Sequence, residues 1–191
     1  MKKLICLAAL SVLGAVSPAF AQATDTDSAD VKVTGRVAPL CILGEPSTAS
    51  VDLGQMAATS GSRIGRLAVI PAQEVTLPGS FCNFAGSALS ISTTALVSES
   101  AGTPPAGFAR AVNFTASGSG WANGGTSATS SALADGNNPS SQSTGATQPL
   151  PRLSDIQVQL SNFSVPSDAL LLADNYNGLV TVTLGPAAIA E

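Results

Sequence analysis

Histidine does not occur anywhere in the 191 residues of this chain. It is the usual general base of serine and cysteine hydrolases and the commonest protein ligand for zinc and copper. Aromatic residues are also few, with one tryptophan and one tyrosine, so the chain lacks the aromatic density that sugar-cleaving clefts use. Paired carboxylates could still support glycoside hydrolysis, but the acids are scattered through turn-like contexts. We therefore predict that the protein is not an enzyme and needs no cofactor.

Charged residues are scarce as well, at 10% of the chain. Without a basic stripe for nucleic acid or a polybasic cluster for anionic lipid, neither is an expected partner. Two acidic clusters resemble parts of calcium loops, one formed by Asp25, Asp27 and Asp30 and the other at residues 135–138. Both lack the ligand number and the closing acid of such loops. We interpret them as a solvated tail and a turn, and we predict no metal site.

The first 21 residues have the three parts of a secretory signal peptide. Lys2 and Lys3 form the charged start, residues 4–16 the apolar core, and residues 19–21 (Ala-Phe-Ala) the cleavage site. The apolar core is short for a membrane span, so we expect none after cleavage; a retained anchor is the alternative. Cleavage would leave 170 residues, which suffice for one domain with a core.

Two of the three cysteines, Cys41 and Cys82, would remain after cleavage, and each lies beside a strand-like run. Disulfides form and persist in export compartments. We therefore predict a disulfide that staples a β-sandwich, with two buried free thiols as the alternative.

Apolar residues recur with a period of two, as in half-buried β-strands. No segment after the signal carries a convincing amphipathic helix. The fold class predicted is all-β, a single sandwich of about seven strands. The alternation is found at residues 31–37, 75–81, 89–92, 108–115, 156–161 and 180–184.

Residues 123–145 do not fit this pattern, because they are mostly Gly, Ser, Thr, Ala and Asn. Such a segment buries too little apolar surface to offset its ordering entropy. We predict a long mobile loop inside one domain of residues 31–191, which follows a polar extension at residues 22–30.

Four short segments and a closing run occur in a recognisable order. The segments are VTGRV at 33–37, CIL at 41–43, VDLG at 51–54 and FCN at 81–83, and the closing run is YNGLVTVTL at 176–184. In their order and cysteine spacing they resemble a chaperone–usher pilus (fimbrial) subunit and the similar spore coat protein U-type domains.

This resemblance implies an immunoglobulin-like, pilin-type sandwich that lacks its last strand. It implies export to the periplasm and then to the cell surface, with a periplasmic chaperone, an outer-membrane usher and neighbouring pilus subunits as partners. The edge presented to chaperone and neighbour would then carry Val180, Val182 and Leu184. Such subunits exchange strands through an N-terminal extension.

The resemblance leaves three alternatives open for the donor segment, the N-terminal stretch that would supply a strand to a neighbouring subunit, because residues 22–30 are polar and acidic. Val31, Val33 and Val37 belong to the donor or to the first strand, or the subunit donates weakly, or it folds complete and does not polymerise. An alternative function is a self-complete secreted sandwich that binds carbohydrate or protein near residues 123–145 and Trp121.

Overall fold

The computed structural model describes residues 27–187, and the chain divides into two parts between Val37 and Ala38. Residues 27–37 carry no regular secondary structure and are exposed throughout. The predicted signal peptide and residues 22–26 of the extension lie outside the described residues. Over residues 27–187, no helix is long and apolar enough to cross a membrane.

Residues 38–187 form an all-β fold, which confirms the predicted all-β class. Ten strands are present in the described part of the chain, against the seven or so expected from the sequence, because several are only two to four residues long. Two 3₁₀ turns lie at Gly61–Arg63 and Pro166–Asp168. The strands are β1 (Cys41–Ile42), β2 (Gln73–Cys82), β3 (Ser87–Ser98), β4 (Phe108–Ala109), β5 (Ala111–Ser119), β6 (Thr126–Thr129), β7 (Ser141–Thr144), β8 (Arg152–Ser164), β9 (Leu170–Leu171) and β10 (Tyr176–Pro186).

The main sheet has the strand order β1-β2-β8-β5-β3-β10, with β6 paired to β5 and β7 paired to β3. All of these pairs are antiparallel, whereas β4 and β9 form a small parallel pair. Strand β5 changes neighbours along its length: Ala111 and Val112 pair with β3, and later residues pair with β6 and β8. The sheet therefore folds over into two layers, which gives a sandwich.

The core lies between these layers and follows the predicted period of two. In β8, Ile156 and Val158 are buried while Gln157 and Gln159 are exposed, as alternation in a strand requires. Both buried residues belong to one core cluster with Leu77 of the neighbouring strand β2 and Leu89 of β3. These strands thus confirm the sequence prediction.

The structure differs from the prediction at residues 31–37, which form no strand of this domain. The side chains of Val31, Val33 and Val37 are 84%, 90% and 85% exposed. Alternation makes a segment competent to be a strand, but it does not supply the neighbouring strand that its backbone needs.

The structure also corrects the prediction for residues 123–145, which contain β6 and β7. Thr126, Ala128 and Ser130 are buried, and β6 pairs with β5 along four residues. Small side chains pack closely between strands here, so ordering does not depend on large apolar residues. The prediction of a loop without packed strands, which rested on composition alone, is therefore wrong for this segment.

Candidate functional site: an open groove beside the last strand

An apolar groove of about 500 Å³ runs along β10, which is the last strand of the sheet order. One wall of this groove, the β10 wall, consists of residues 176–180 and Val182. The opposite wall, the 43–53 wall, is formed by lining residues within positions 43–53, none of which belongs to a strand. No strand within residues 27–187 pairs with the outer edge of β10. The sandwich is thus open along this seam.

The floor of the groove is the core itself. It is formed by apolar side chains from β2, β3 and β8, namely Val75, Leu77, Leu96, Val158, Leu160 and Phe163. None of the described residues that line the groove is charged. The groove therefore suits apolar groups, since a charge placed there would lose its hydration without gaining an ionic partner.

The 43–53 wall is tied to β2 by a few hydrogen bonds rather than by a ladder. The Ser47 amide donates to the Thr76 carbonyl at 2.8 Å, and the Thr76 amide donates to Ser47 Oγ at 3.1 Å. The Gly44 amide donates to Ser80 Oγ at 3.1 Å. Gly44 lies so close to the Pro78 carbonyl that a Cβ atom at this position would overlap it.

The predicted disulfide between Cys41 and Cys82 is present, and the two residues are paired in register in β1 and β2. The bridge therefore joins neighbouring strands of one sheet, not the two layers of the sandwich as a staple across it would. Cys82 is fully buried. Because Leu43 follows Cys41 by two residues, the bridge anchors the start of the 43–53 wall.

The predicted edge residues all lie on β10, and all three pack against the core cluster that contains Leu77 and Cys82. Val180 and Val182 also line the groove, whereas Leu184 is not part of its lining. All three are half-buried, and the intervening Thr181 and Thr183 are exposed. The alternation read from the sequence therefore identifies the inward face of this strand correctly.

A polar network holds the turn from which β10 starts. Hydrogen bonds from Ser100 and Ser98 keep the pKa of Asp174 well below its ordinary value. The Tyr176 hydroxyl donates to the Leu172 carbonyl at 2.9 Å, and burial raises the pKa of Tyr176. The Arg110 guanidinium donates to the Ser98 carbonyl at 3.1 Å. This network fixes one end of the groove.

Two other sites considered from the sequence, Trp121 and the acidic turn at residues 135–138, take part in the packing and hydrogen bonding of the fold. Trp121 is 1% exposed and belongs to the core, so its indole is not presented to a ligand. Asp135 accepts a hydrogen bond from the Asn137 amide in a local turn. Over the described residues, which exclude Asp25, no three acidic or cysteine side chains are grouped as metal ligands.

The 43–53 wall is not among the site residues predicted from the sequence. The signal available was the alternation of Val51 and Leu53 inside one of the segments that carried the family resemblance. Its meaning depends on the open seam, which the sequence does not show.

No protein-family model, curated protein or solved structure matches this chain.

Proposed function

We propose that this chain is a non-enzymatic structural subunit of a surface fibre, in which the groove of one copy accepts a strand from the next. The observation that carries this proposal is the uncharged groove of about 500 Å³ beside the unpaired edge of β10. A periplasmic chaperone would fill the groove before assembly, and an outer-membrane usher would receive the subunit. Both partners follow from the pilus-subunit resemblance.

This seam is suited to a ligand that binds as an additional β-strand. The outer edge of β10 offers backbone N–H and C=O groups along the strand up to Pro186, which has no N–H, and none of its eleven residues has a charged side chain. Long uncharged edges are ready templates for pairing, and proteins usually protect them with charge or proline inside the strand. An inserted strand would pair with this edge and place alternate side chains on the apolar floor.

The N-terminal segment has the pattern of such a strand. Val31, Val33 and Val37 lie on one face of an extended chain, while Lys32 and Arg36 lie on the other. The three valines are exposed, so they are available to a partner. Residues 31–37 and residues 176–182 have equal length, about 20 Å as strands. The apolar face would enter the groove and the basic face would remain in water.

A peptide added in trans tests this proposal. The recipient is the chain from residue 22 onward with Val31→Asp and Val33→Asp, which disables its own segment. A peptide of residues 28–38 should raise the Tm of this recipient saturably, because it binds only the folded groove. The same peptide with both aspartates is the matched control and should leave the Tm unchanged.

A groove variant checks where the peptide binds. Val182→Arg places a charge on the floor side of β10 and should abolish the Tm shift, whereas Thr183→Arg on the exposed face should retain it. Circular dichroism reports whether each variant folds. Co-expression with a periplasmic pilus chaperone should increase the yield of the recipient. A stable monomer that neither peptide nor chaperone affects would contradict the proposal.

A further inference from the structure

A row of apolar side chains crosses the outer face of the sheet at its disulfide-linked end. Ile42 of β1 is paired with Phe81 of β2, and Phe81 is paired with Leu153 of β8. The inward neighbours Cys41 and Cys82 form the disulfide, so these three side chains point outward. Ile42 is 52% and Leu153 is 70% exposed.

Two further residues continue this row toward the end of the sheet. Leu40 precedes Ile42 by two residues and is 50% exposed, and Pro151 precedes Leu153 by two and is also exposed. Leu40 and Pro151 immediately precede β1 and β8, and the alternation of these strands, continued by one residue, places both on the outer face. We call this set the end patch: Leu40, Ile42, Phe81, Pro151 and Leu153.

The end patch is local, because the same face becomes polar farther along β8. Asp155, Gln157 and Gln159 are the next outward residues of that strand, and all three are exposed. A contiguous apolar surface bordered by polar residues marks an interaction site more often than scattered single residues do.

The position of the end patch in the chain indicates its occupant. Only Ala38 and Pro39 separate Val37, the last valine of the donor segment, from Leu40 of the patch. Three residue steps span at most about 10 Å, and Pro39 restricts the backbone further. When residues 31–37 are inserted in the groove of a second copy, that copy must lie next to the patch.

We propose that the end patch docks against the body of the second copy that receives the extension, so that each fibre joint has a second contact besides the inserted strand. This inference rests on the proposed function. A joint with two contacts restrains the angle between successive domains, whereas an inserted strand on a short tether alone leaves it freer. Burial of Ile42 and Leu153 would also slow the release of the strand.

Site-specific photo-cross-linking tests the contact in polymers of the chain from residue 22 onward. A photoreactive benzoyl-phenylalanine replaces Leu153 in one variant and Gln159 in the control. Both positions are exposed on the same face of β8, about 20 Å apart. Position 153 should yield cross-linked dimers several-fold more often than position 159. Adding Val31→Asp and Val33→Asp should remove the polymers and these dimers together.

The possible outcomes distinguish failure of the second contact from failure of strand insertion. Polymers without preferential cross-linking at position 153 would overturn the second contact and leave strand insertion standing. Cross-linking that persists with the two aspartates would also overturn it, since the contact would not depend on the extension. Absence of polymers under all conditions, including release from a chaperone, would overturn both proposals.

A paired substitution tests the kinetic consequence. Ile42→Thr with Leu153→Thr places a β-branched residue, which suits a strand, at both positions and should still yield polymers. Displacement of the inserted strand by excess peptide of residues 28–38 should be about tenfold faster than in wild-type polymers. The control Gln157→Thr with Gln159→Thr should displace at the wild-type rate. Equal rates in both variants would count against docking of the patch.

Discussion

Cys41 and Cys82 lie directly opposite each other in β1 and β2, with their Cα atoms 4.2 Å apart and 41 residues apart in the chain. The loop that this bond closes contains the whole 43–53 wall of the groove. The wall itself is held to β2 by few hydrogen bonds. The disulfide therefore constrains the part of the site that regular sheet pairing does not.

Replacing both cysteines, Cys41→Ser with Cys82→Ser, should destabilise the domain by about 4 kcal/mol in the chain-entropy model. Urea unfolding monitored by circular dichroism measures the difference. Wild-type protein in reductant is the matched control and should unfold at the same urea concentration as the variant. An unchanged unfolding midpoint in the variant would show that the loop is already constrained without the bond.

A second prediction concerns the close approach of the 43–53 wall to β2. Gly44→Ala should destabilise the domain by about 2 kcal/mol or more, because the added Cβ overlaps the Pro78 carbonyl and the backbone must move. Gly185→Ala is the matched control, since no atom lies within 4 Å of the Cβ it would add. The free energies of unfolding of the two variants compare the effects. Equal stabilities would mean that the wall can move away from β2 without cost.

The long strands were predictable because each buries one face. In β8 and β10 the apolar residues alternate with Gln, Ser or Thr, and this pattern predicted the inward positions of Ile156, Val158, Val180 and Val182. Strand pairing was not predictable in the same way. Residues 31–37 alternate too, yet they form no strand. Alternation indicates that a segment can form a β-strand, but the topology of the fold determines which segments are paired.

Residues 123–145 were misread because their order comes from hydrogen bonds and close packing of small side chains. Asn138 shows the mechanism: its Oδ1 accepts from the Ala95 amide at 2.8 Å, and its Nδ2 donates to the Ala95 carbonyl at 2.9 Å. The side chain thus bonds both backbone polar groups of a β3 residue, as a paired strand would. Nothing in the composition of the segment indicates which asparagine does this.

Asn138→Ala should therefore destabilise the domain by about 2 kcal/mol, since it leaves two partly buried backbone groups without their partners. Amide hydrogen exchange at Ala95 should become faster in the variant. Asn137→Ala is the matched control, because the side chain of Asn137 is exposed and only its backbone takes part in the local turn. If both variants exchange at the wild-type rate at Ala95, the order of this segment does not depend on Asn138.

The candidate site could be predicted only in part. The cysteine pair and the inward face of β10 were found from spacing and alternation. The 43–53 wall was not, because it is irregular and meets β10 across a seam between residues more than 120 positions apart. Its apolar floor is made of ordinary core residues, such as Leu77 and Val158, which a sequence cannot distinguish from fully covered ones. The groove follows from the absence of a covering strand among residues 27–187, and this is a property of topology.

The final prediction concerns the turn that starts β10, where Asp174 accepts hydrogen bonds from the Ser98 hydroxyl and the Ser100 amide, both at 2.7 Å. These bonds lower the pKa of Asp174 in the folded state from its ordinary value of 3.8.

The stabilisation from this carboxylate is therefore fully present above pH 3.8 and is lost as the pH falls through the lower folded-state pKa. Asp174→Asn should be less stable than wild type at pH 7, and the difference should shrink as the medium is acidified below pH 3.8, because the carboxyl group of the unfolded chain then takes up a proton while the folded chain still keeps Asp174 ionised. Chemical unfolding of both proteins between pH 7 and pH 2 measures this convergence, with Asp30→Asn in the exposed N-terminal segment as the control. A constant difference across this range would mean that the side chain acts through its shape and not through its charge.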